Sequence, residues 1–119
     1  MINILFTSGE KRTYYFLMER EIYEVLKEVR DPEIPIDIVN LGLIYGVRVV
    51  NGIAYIDMTL TVQGCPAKQF FAEHIRRKIL EKFPHLEDVV VEFVFEPPWT
   101  KEKISEEGKA RLRRLGWDI

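Results

Sequence analysis

Cysteine is nearly absent from this sequence: Cys65 stands alone, beside only two histidines. A single cysteine excludes a disulfide within the chain and is typical of a reducing compartment, so we expect a cytoplasmic protein. Three cysteine and histidine residues are also too few for a closed tetrahedral zinc site built from these residue types. A metal site that uses Cys65 would therefore need carboxylate ligands, or a second subunit that supplies another Cys65.

The sequence also lacks long apolar runs and any excess of charge of one sign. No stretch of 18 or more apolar residues exists, so no membrane-spanning helix is expected. The formal net charge is −2, which gives no general attraction to nucleic acid or to anionic membranes. The composition is 47% hydrophobic and 30% charged, as expected for one globular domain with a real core.

Hydrophobic periodicity predicts an α+β domain of two layers. We expect an α-β-β-α-β core, with a small three-stranded mixed sheet, two helices on one face, and a short C-terminal helix. Asn51-Gly52 is the preferred two-residue turn of a β-hairpin. The predicted elements are a helix over Glu19–Arg30, strands over Ile44–Val50 and Ile53–Val62, a helix over Pro66–Phe83, a strand over Val89–Phe95, and a final helix that Thr100 or Ser105 caps and that reaches about Leu115.

The first 18 residues differ from the remainder of the chain. Two apolar stretches, 2–6 and 14–17, flank a polar turn. Three interpretations stay open for residues 1–18: an additional hairpin, an arm that reaches a partner subunit, or the product of an upstream start site, since Met18 is an alternative start. We therefore divide the chain into an N-terminal extension, 1–18, and one domain, 19–119.

Cys65 lies where a predicted strand ends and a predicted helix begins. Pro66 suits the first position of a helix, which would place Cys65 at the helix N-terminus. Unpaired N–H groups and the helix dipole would there favour the thiolate, the form that binds metals and attacks electrophiles. The alternative is that Cys65 is a small buried hydrophobic residue.

The two histidines are poor partners for Cys65 in catalysis. His74 follows Cys65 by nine residues, which on a helix is half a turn out of phase and about 13 Å along the axis. His85 lies beyond the end of the same predicted helix. A Cys–His enzyme is therefore disfavoured, and we expect a protein that is not an enzyme.

A second group of polar residues occupies the loop between the first helix and the first strand. Asp31, Glu33, Asp37 and Asn40 lie among apolar residues, so we expect this loop to pack against the body of the domain. Their side chains either cap turns or, if the loop lies at the Cys65 end of the sheet, ligate a metal and tune the thiol. Trp99, which follows two prolines, either covers the edge of the core or contacts a partner.

Four motifs, in this order and spacing, resemble a known family. They are Asp31–Pro35 (DPEIP), Asn40–Tyr45 (NLGLIY), Thr59–Pro66 (TLTVQGCP) and Pro97–Trp99 (PPW). The family comprises the iron–sulfur cluster assembly proteins of the SufT-like, PaaD-like and MIP18-like kind. The resemblance runs from about residue 19 to residue 105.

The resemblance implies a function in the maturation of iron–sulfur proteins. It implies that Cys65 handles a cluster or iron transiently, with Asp31 and Glu33 as further binding residues. It also implies a homodimer, in which two Cys65 thiolates can share a metal, and partners that are assembly proteins and client apoproteins. We expect partner contacts at Asn40, Thr61 and Trp99.

Two departures from the family pattern affect these expectations. The family usually has Asp where this chain has Asn40, which weakens a metal-binding role at that position. The chain also lacks the cysteine-rich C-terminus of some PaaD-like members. The alternative function is a non-catalytic adaptor for a multicomponent oxygenase or another iron–sulfur client, with Cys65 structural.

Overall fold

The helices and strands follow one another in the order that the sequence predicts. A computed structural model describes residues 8–62 and 67–119, with side chains from residue 14 onward. The fold class is confirmed: an α-β-β-α-β core is followed by a short helix. The elements are α1 (Ser8–Leu26), β1 (Ile44–Val50), β2 (Ile53–Met58), α2 (Ala67–Lys82), β3 (Asp88–Phe93), a 3-10 turn (Lys101–Lys103) and α3 (Glu106–Arg114).

The three strands form one mixed sheet with β2 at its centre. β1 and β2 are antiparallel, whereas β2 and β3 are parallel and joined through α2. Asn51 and Gly52 have φ values of 50° and 81°, so both occupy the left-handed region that a type I′ turn requires. This turn sets the register of the hairpin, in which Val50 lies opposite Ile53.

Helices α1 and α2 pack against each other and against the same face of the sheet. α1 contacts β1, and α2 contacts β3. The apolar stripe of α2 is buried as predicted, because its members recur every four residues and point at the sheet. Fully buried members of this core include Ile22, Leu26, Ile56, Phe71, Ile75 and Ile79. No helix in the described part of the chain is long and apolar enough to cross a membrane.

The bounds of α1 correct the prediction at both ends. Residues 8–18 belong to α1, so the hairpin interpretation is wrong, although its other half, 2–6, lies outside the described residues. Tyr14 and Tyr15 pack against the core one turn before buried Met18, which continues the helical stripe backwards. α1 ends at Leu26 rather than Arg30 because the next turn joins the following loop: Val29 O accepts a hydrogen bond from Ile38 N.

The predicted strands are slightly too long, and the predicted second helix is nearly correct. β2 ends at Met58 rather than Val62, although Thr59 N still donates a hydrogen bond to Leu43 O, the next pair in the register of Ile44 and Met58. β3 ends at Phe93 rather than Phe95. α2 begins one residue after Pro66, which lies outside the described residues, as does Cys65.

The loop before β1 is packed tightly, as its apolar content predicts. Ile36, Ile38, Leu41 and Leu43 are 0–1% exposed. The C-terminal segment covers this loop, and the fit depends on glycine. Gly42 has a φ of 84°, and a Cβ placed there would overlap the backbone carbonyl of Lys103.

We expect Gly42→Ala to destabilise the fold by about 2 kcal/mol or more. Alanine is strained at this φ, and its Cβ would push the 3-10 turn away from the loop. Gly46→Ala is the matched control, because a Cβ at Gly46 comes no closer than 3.4 Å to Asp57 Oδ2. Urea unfolding should show the loss for Gly42→Ala and a change within about 0.5 kcal/mol for Gly46→Ala. Equal free energies of unfolding for the two variants would contradict the close approach.

Candidate functional site

One end of the sheet, which we call the carboxyl edge because β2 and β3 end there, collects the chain segments that carry three of the four sequence motifs, NLGLIY, TLTVQGCP and PPW. β2 and β3 are parallel, so their carboxyl ends meet there, beside the N-terminus of α2. β1 is antiparallel to β2, and its first residue, Ile44, pairs with Met58, so the preceding loop also arrives at this edge. The chain between Met58 and Ala67, which contains Cys65, therefore leaves from this edge and returns to it. Carboxyl ends of parallel strands are common ligand sites in α/β proteins.

Two backbone hydrogen bonds hold this edge together. Thr59 N donates to Leu43 O at 2.8 Å, which fixes the end of the polar loop against the end of β2. Val94 N donates to Met58 O at 2.8 Å on the other side. The expectation that the loop lies at the Cys65 end of the sheet is thus met at its last residues.

Lys68 brings a positive charge to this edge from the first turn of α2. Its ammonium group lies 4.9 Å from the ring centroid of Phe95 and 5.9 Å from that of Phe93. Cation–π contact holds the side chain over the end of β3. The charge and the N-terminus of α2 together make the surroundings of residues 63–66 favourable for an anion.

The residues on either side of 63–66 differ sharply in exposure. Thr59 is fully buried, and its Oγ1 has no hydrogen-bond partner among the described residues. Thr61 is half-buried. Val62 and Phe70, by contrast, are 63% and 53% exposed. Two large apolar side chains are therefore open to solvent next to the segment that carries Cys65.

Asp31 and Glu33 have different environments. Asp31 Oδ2 accepts hydrogen bonds from Glu33 N and Ile34 N, both at 2.8 Å, so this carboxylate caps the turn as one interpretation expected. The side chain of Glu33 is exposed. Within residues 8–62 and 67–119, no three His, Cys, Asp or Glu side chains are grouped to hold a metal ion. Joint binding by Cys65, Asp31 and Glu33 stays a prediction.

Asn40 lies at the centre of a buried polar network. It is 6% exposed, and its Nδ2 donates to Asp37 Oδ1 at 2.8 Å. Its Oδ1 accepts a hydrogen bond from Ser105 Oγ at 2.6 Å. Ser105 also caps α3 by accepting from Gly108 N at 2.9 Å, so Asn40 connects the polar loop to the last helix. A contact between Asn40 and a partner protein stays a prediction.

Asp37 and Arg111 are members of this network that the sequence did not single out as a pair. Asp37 is 3% exposed and accepts hydrogen bonds from the backbone N–H groups of Val39 and Asn40. Arg111 Nη1 lies 3.4 Å from Asp37 Oδ1 and gives the buried carboxylate a cationic partner. A buried Asp three residues before Asn is a local signal for such a turn, but its link to Arg111 spans 74 residues.

Trp99 covers the edge of the core, which was one of its two predicted interpretations. Its Nε1 donates to Leu41 O at 2.7 Å, and its ring is half-buried against the core. Tyr45 Oη donates to Pro97 O at 2.6 Å beside it. Trp99 thus fastens the segment after β3 onto the polar loop, and its role as a partner contact stays a prediction.

Both histidines have partners on other side chains. His74 stacks on Phe70 at a centroid distance of 5.6 Å, and Arg77 Nη2 lies 3.0 Å from its Nδ1. Burial lowers the pKa of His74 below its usual value, and the positive charges of Arg77 and Lys78 lower it further. His85 Nε2 lies 3.2 Å from the hydroxyl of Tyr14. These contacts engage both imidazoles with other side chains.

Comparison with known proteins identifies a family for most of the chain. Residues 19–93 match the family described as iron-sulfur cluster assembly protein. The Fe-S protein maturation auxiliary factor SufT of Staphylococcus aureus is 44% identical over 85 residues, which cover 71% of this chain and 96% of SufT. The corresponding factor YitW of Bacillus subtilis is 40% identical over 96 residues, which cover 80% and 93% of the two chains.

Solved structures and a more distant relative agree with this assignment. A domain of unknown function from Bacillus anthracis superposes with a TM-score of 0.80 at 35% identity, covering 86% of this chain and 97% of that domain. A putative component of the 1,2-phenylacetyl-CoA epoxidase of Escherichia coli is 31% identical over 97 residues, which cover 81% of this chain and 58% of that component. The predicted resemblance to SufT-like and PaaD-like proteins is confirmed.

We expect Asn40→Asp to destabilise the protein by about 2 kcal/mol or more at neutral pH. The new carboxylate would face that of Asp37 at hydrogen-bond distance and would replace the donor that Asp37 Oδ1 now accepts from. Asn40→Ala is the control, since it removes the bond to Asp37, and that from Ser105 as well, without adding charge. Urea unfolding at low salt should give Asn40→Asp the lower free energy of unfolding. An Asp variant as stable as the parent would show that Asp37 needs no donor at position 40.

Proposed function

The chain belongs to the iron–sulfur cluster assembly protein family, and from this membership we propose that it is a maturation factor that carries a cluster, or its iron, on Cys65 and passes it to client apoproteins. The observation that carries the proposal is the match over residues 19–93, which includes Cys65, together with the likeness to maturation factors over nearly their whole length. The cluster or iron is cargo, and we propose that the protein performs no catalysis on it.

The frame around residues 63–66 supports thiolate chemistry at Cys65. Cys65 precedes the first residue of α2 by two positions, and α2 is 16 residues long, so its dipole is fully developed. Lys68 adds a full positive charge over the end of β3. Both features favour an anionic ligand, and a thiolate is the form of cysteine that binds iron.

We propose that Asp31 and Glu33 supply oxygen ligands when cargo is bound. The two backbone bonds of Asp31 both use Oδ2, so Oδ1 can still bind a metal. Glu33 is exposed and can turn towards an incoming ion without losing a buried contact. Carboxylates bind iron less tightly than thiolates do, which suits a ligand that must release its cargo to a client protein.

We propose that client proteins contact the exposed pair Val62 and Phe70. These side chains lie on either side of residues 63–66 in sequence, and exposed aromatic and aliphatic groups of this size are typical of protein interfaces. Thr61, next to Val62, would lie within the same contact.

A second candidate function is a non-catalytic adaptor for a multicomponent oxygenase or another iron–sulfur client. The likeness to the epoxidase component of Escherichia coli favours it. In that case Cys65 is structural, and the protein binds its client without carrying cargo. Both candidates place the protein in the cytoplasm, where its lone thiol stays reduced.

Anaerobic reconstitution with iron and sulfide tests the carrier function. We expect the parent protein to bind iron and develop a cluster absorption band, and Cys65→Ser to retain about a tenth of that iron or less, because the serine hydroxyl stays protonated. Cys65→Ala has no ligand atom at this position, so comparing its iron content with that of Cys65→Ser shows how much iron the serine itself binds. Metal content, absorption and sedimentation are measured on the same samples. Iron binding that does not depend on Cys65 would leave the adaptor as the better candidate.

Transfer to apo-ferredoxin, used as a generic acceptor, tests the client surface. We expect the double variant Val62→Ser, Phe70→Ser to load normally but to transfer its cluster about tenfold more slowly, because the apolar contact with the acceptor is lost. Leu115→Ser is the matched control, since Leu115 is 61% exposed but follows α3. If both variants transfer at the parental rate, the acceptor docks elsewhere.

A further inference from the structure

The two lateral edges of the sheet, one along β1 and the other along β3, are protected differently. Along β1, Glu19 Oε2 of α1 accepts a hydrogen bond from Val49 N, which points away from β2, at 3.0 Å. The pairing of β1 also contains an irregularity between Ile44 and Gly46. A side chain that occupies an edge N–H group and a bulge that interrupts the edge both prevent the addition of another strand.

Along most of β3, the described residues show neither an occupied outward N–H group nor a bulge. The described elements that contact β3 are β2 and α2. The buried stripe of α2 lies in the core on one face of the sheet, so α2 does not occupy the outer N–H groups of β3. After β3 the chain crosses towards β1, where Tyr45 binds Pro97 O and Trp99 binds Leu41 O. Within the described residues, the outer edge of β3 is therefore uncovered.

The hydrogen-bond alternation of β3 shows which of its groups face outward. Val94 N donates to Met58 O in β2, so the N–H groups of Glu92 and Val90, two and four residues earlier, also point towards β2. The N–H groups of Val91 and Phe93 point away from the sheet. A third outward N–H group, that of residue 89, is already taken at 2.8 Å by the carboxylate of Asp88.

We propose that β3 pairs with β3 of a second copy of this chain, antiparallel about a two-fold axis at Val91, to form a continuous six-stranded sheet. In this register Val91 exchanges both of its hydrogen bonds with Val91 of the second copy. Phe93 N of each copy donates to Val89 O of the other. These four bonds use the outward N–H groups that are free and leave the N–H group of Val89 with Asp88.

Charge selects this register over its neighbour. With the axis at Val91, Val90 lies opposite Glu92 of the second copy, so no like charges face each other. A register with the axis at Val90 would place Asp88 opposite Glu92, which is unfavourable for two carboxylates on one face of a sheet. That register would also need the N–H group of Val89, which Asp88 occupies.

The pairing places the two proposed cargo sites far apart. Met58 lies beside Phe93, two residues from the axis, and three strand spacings separate the two copies of β2. The two Met58 residues are then about 20 Å apart, on opposite sides of the axis. Each subunit would carry its own Cys65 loop, in contrast to the expectation that two Cys65 thiolates share one metal.

Sedimentation equilibrium of the full chain and two matched variants tests the proposal. Val90→Glu places a second carboxylate opposite Glu92 of the other copy, whereas Val90→Lys places an ammonium group there. We expect a concentration-dependent dimer whose dissociation constant is at least about fivefold higher for Val90→Glu than for Val90→Lys, because the contact occurs twice in a symmetric dimer. Adding Glu92→Lys to Val90→Glu should restore the dimer. Urea unfolding of both variants confirms that they fold.

Amide hydrogen exchange of the unmutated protein gives a second measurement. Raising the protein concentration through the dimer range should slow exchange at Val91 and Phe93, while Val90 and Glu92 stay protected throughout. A chain that remains monomeric at millimolar concentration, or a dimer in which Val91 and Phe93 exchange rapidly, would overturn the proposal. Protection of these two amides at every concentration would overturn it as well, because the edge would then be covered within a single chain.

Discussion

The hydrogen bonds of the buried Asn40 amide are the interaction on which the arrangement of the carboxyl edge depends. The amide donates to Asp37 within the polar loop and accepts from Ser105 at the start of the last helix. Because all three groups are buried or half-buried, each needs a partner to offset the loss of water, and this arrangement supplies one to each. The loop held in this way ends at Leu43, whose carbonyl binds Thr59 at the point where β2 stops. The Asn40 network thus holds the loop whose last residue binds the end of β2, the point from which the chain continues towards Cys65.

The local elements of the fold could be predicted from the sequence because their signals are local. Phe71, Ile75 and Ile79 recur every four residues, and Asn51-Gly52 suits one kind of turn. The start of α1 could not be predicted in the same way, because Tyr14-Tyr15-Phe16-Leu17 is a consecutive apolar run that suits a strand equally well. Its helical state depends on contacts remote in sequence, such as that between Tyr14 and His85. Gly108, which lowers helix propensity, lies inside α3 because a Cβ there would meet Ile104, Ile36 and the carbonyl of Asn40.

The candidate site could be predicted only in part, because the contacts that distinguish its residues are also remote in sequence. The motifs indicated that the polar loop and the Cys65 segment belong together, and the sheet topology brings their ends to one edge. The motifs do not distinguish a carboxylate that binds metal from one that stabilises the backbone. Asp37 is buried and paired with Arg111, whereas Glu33 is exposed, and this difference arises from packing against α3, which lies far along the chain. A short acidic motif therefore combines structural and accessible carboxylates.

If the proposed carrier function holds, a chain with one cysteine is better suited to passing on a cluster than to keeping one. Iron–sulfur clusters are held most stably by four thiolates, and each copy of this protein supplies one. The remaining coordination must come from harder oxygen ligands, from sulfide, or from the acceptor. Because thiolates bind this iron more strongly than carboxylates do, a client with several cysteines has the higher affinity, and transfer towards it is downhill. Separate sites on a two-fold dimer would preserve this weakness, since a second Cys65 on the same cluster would make release harder.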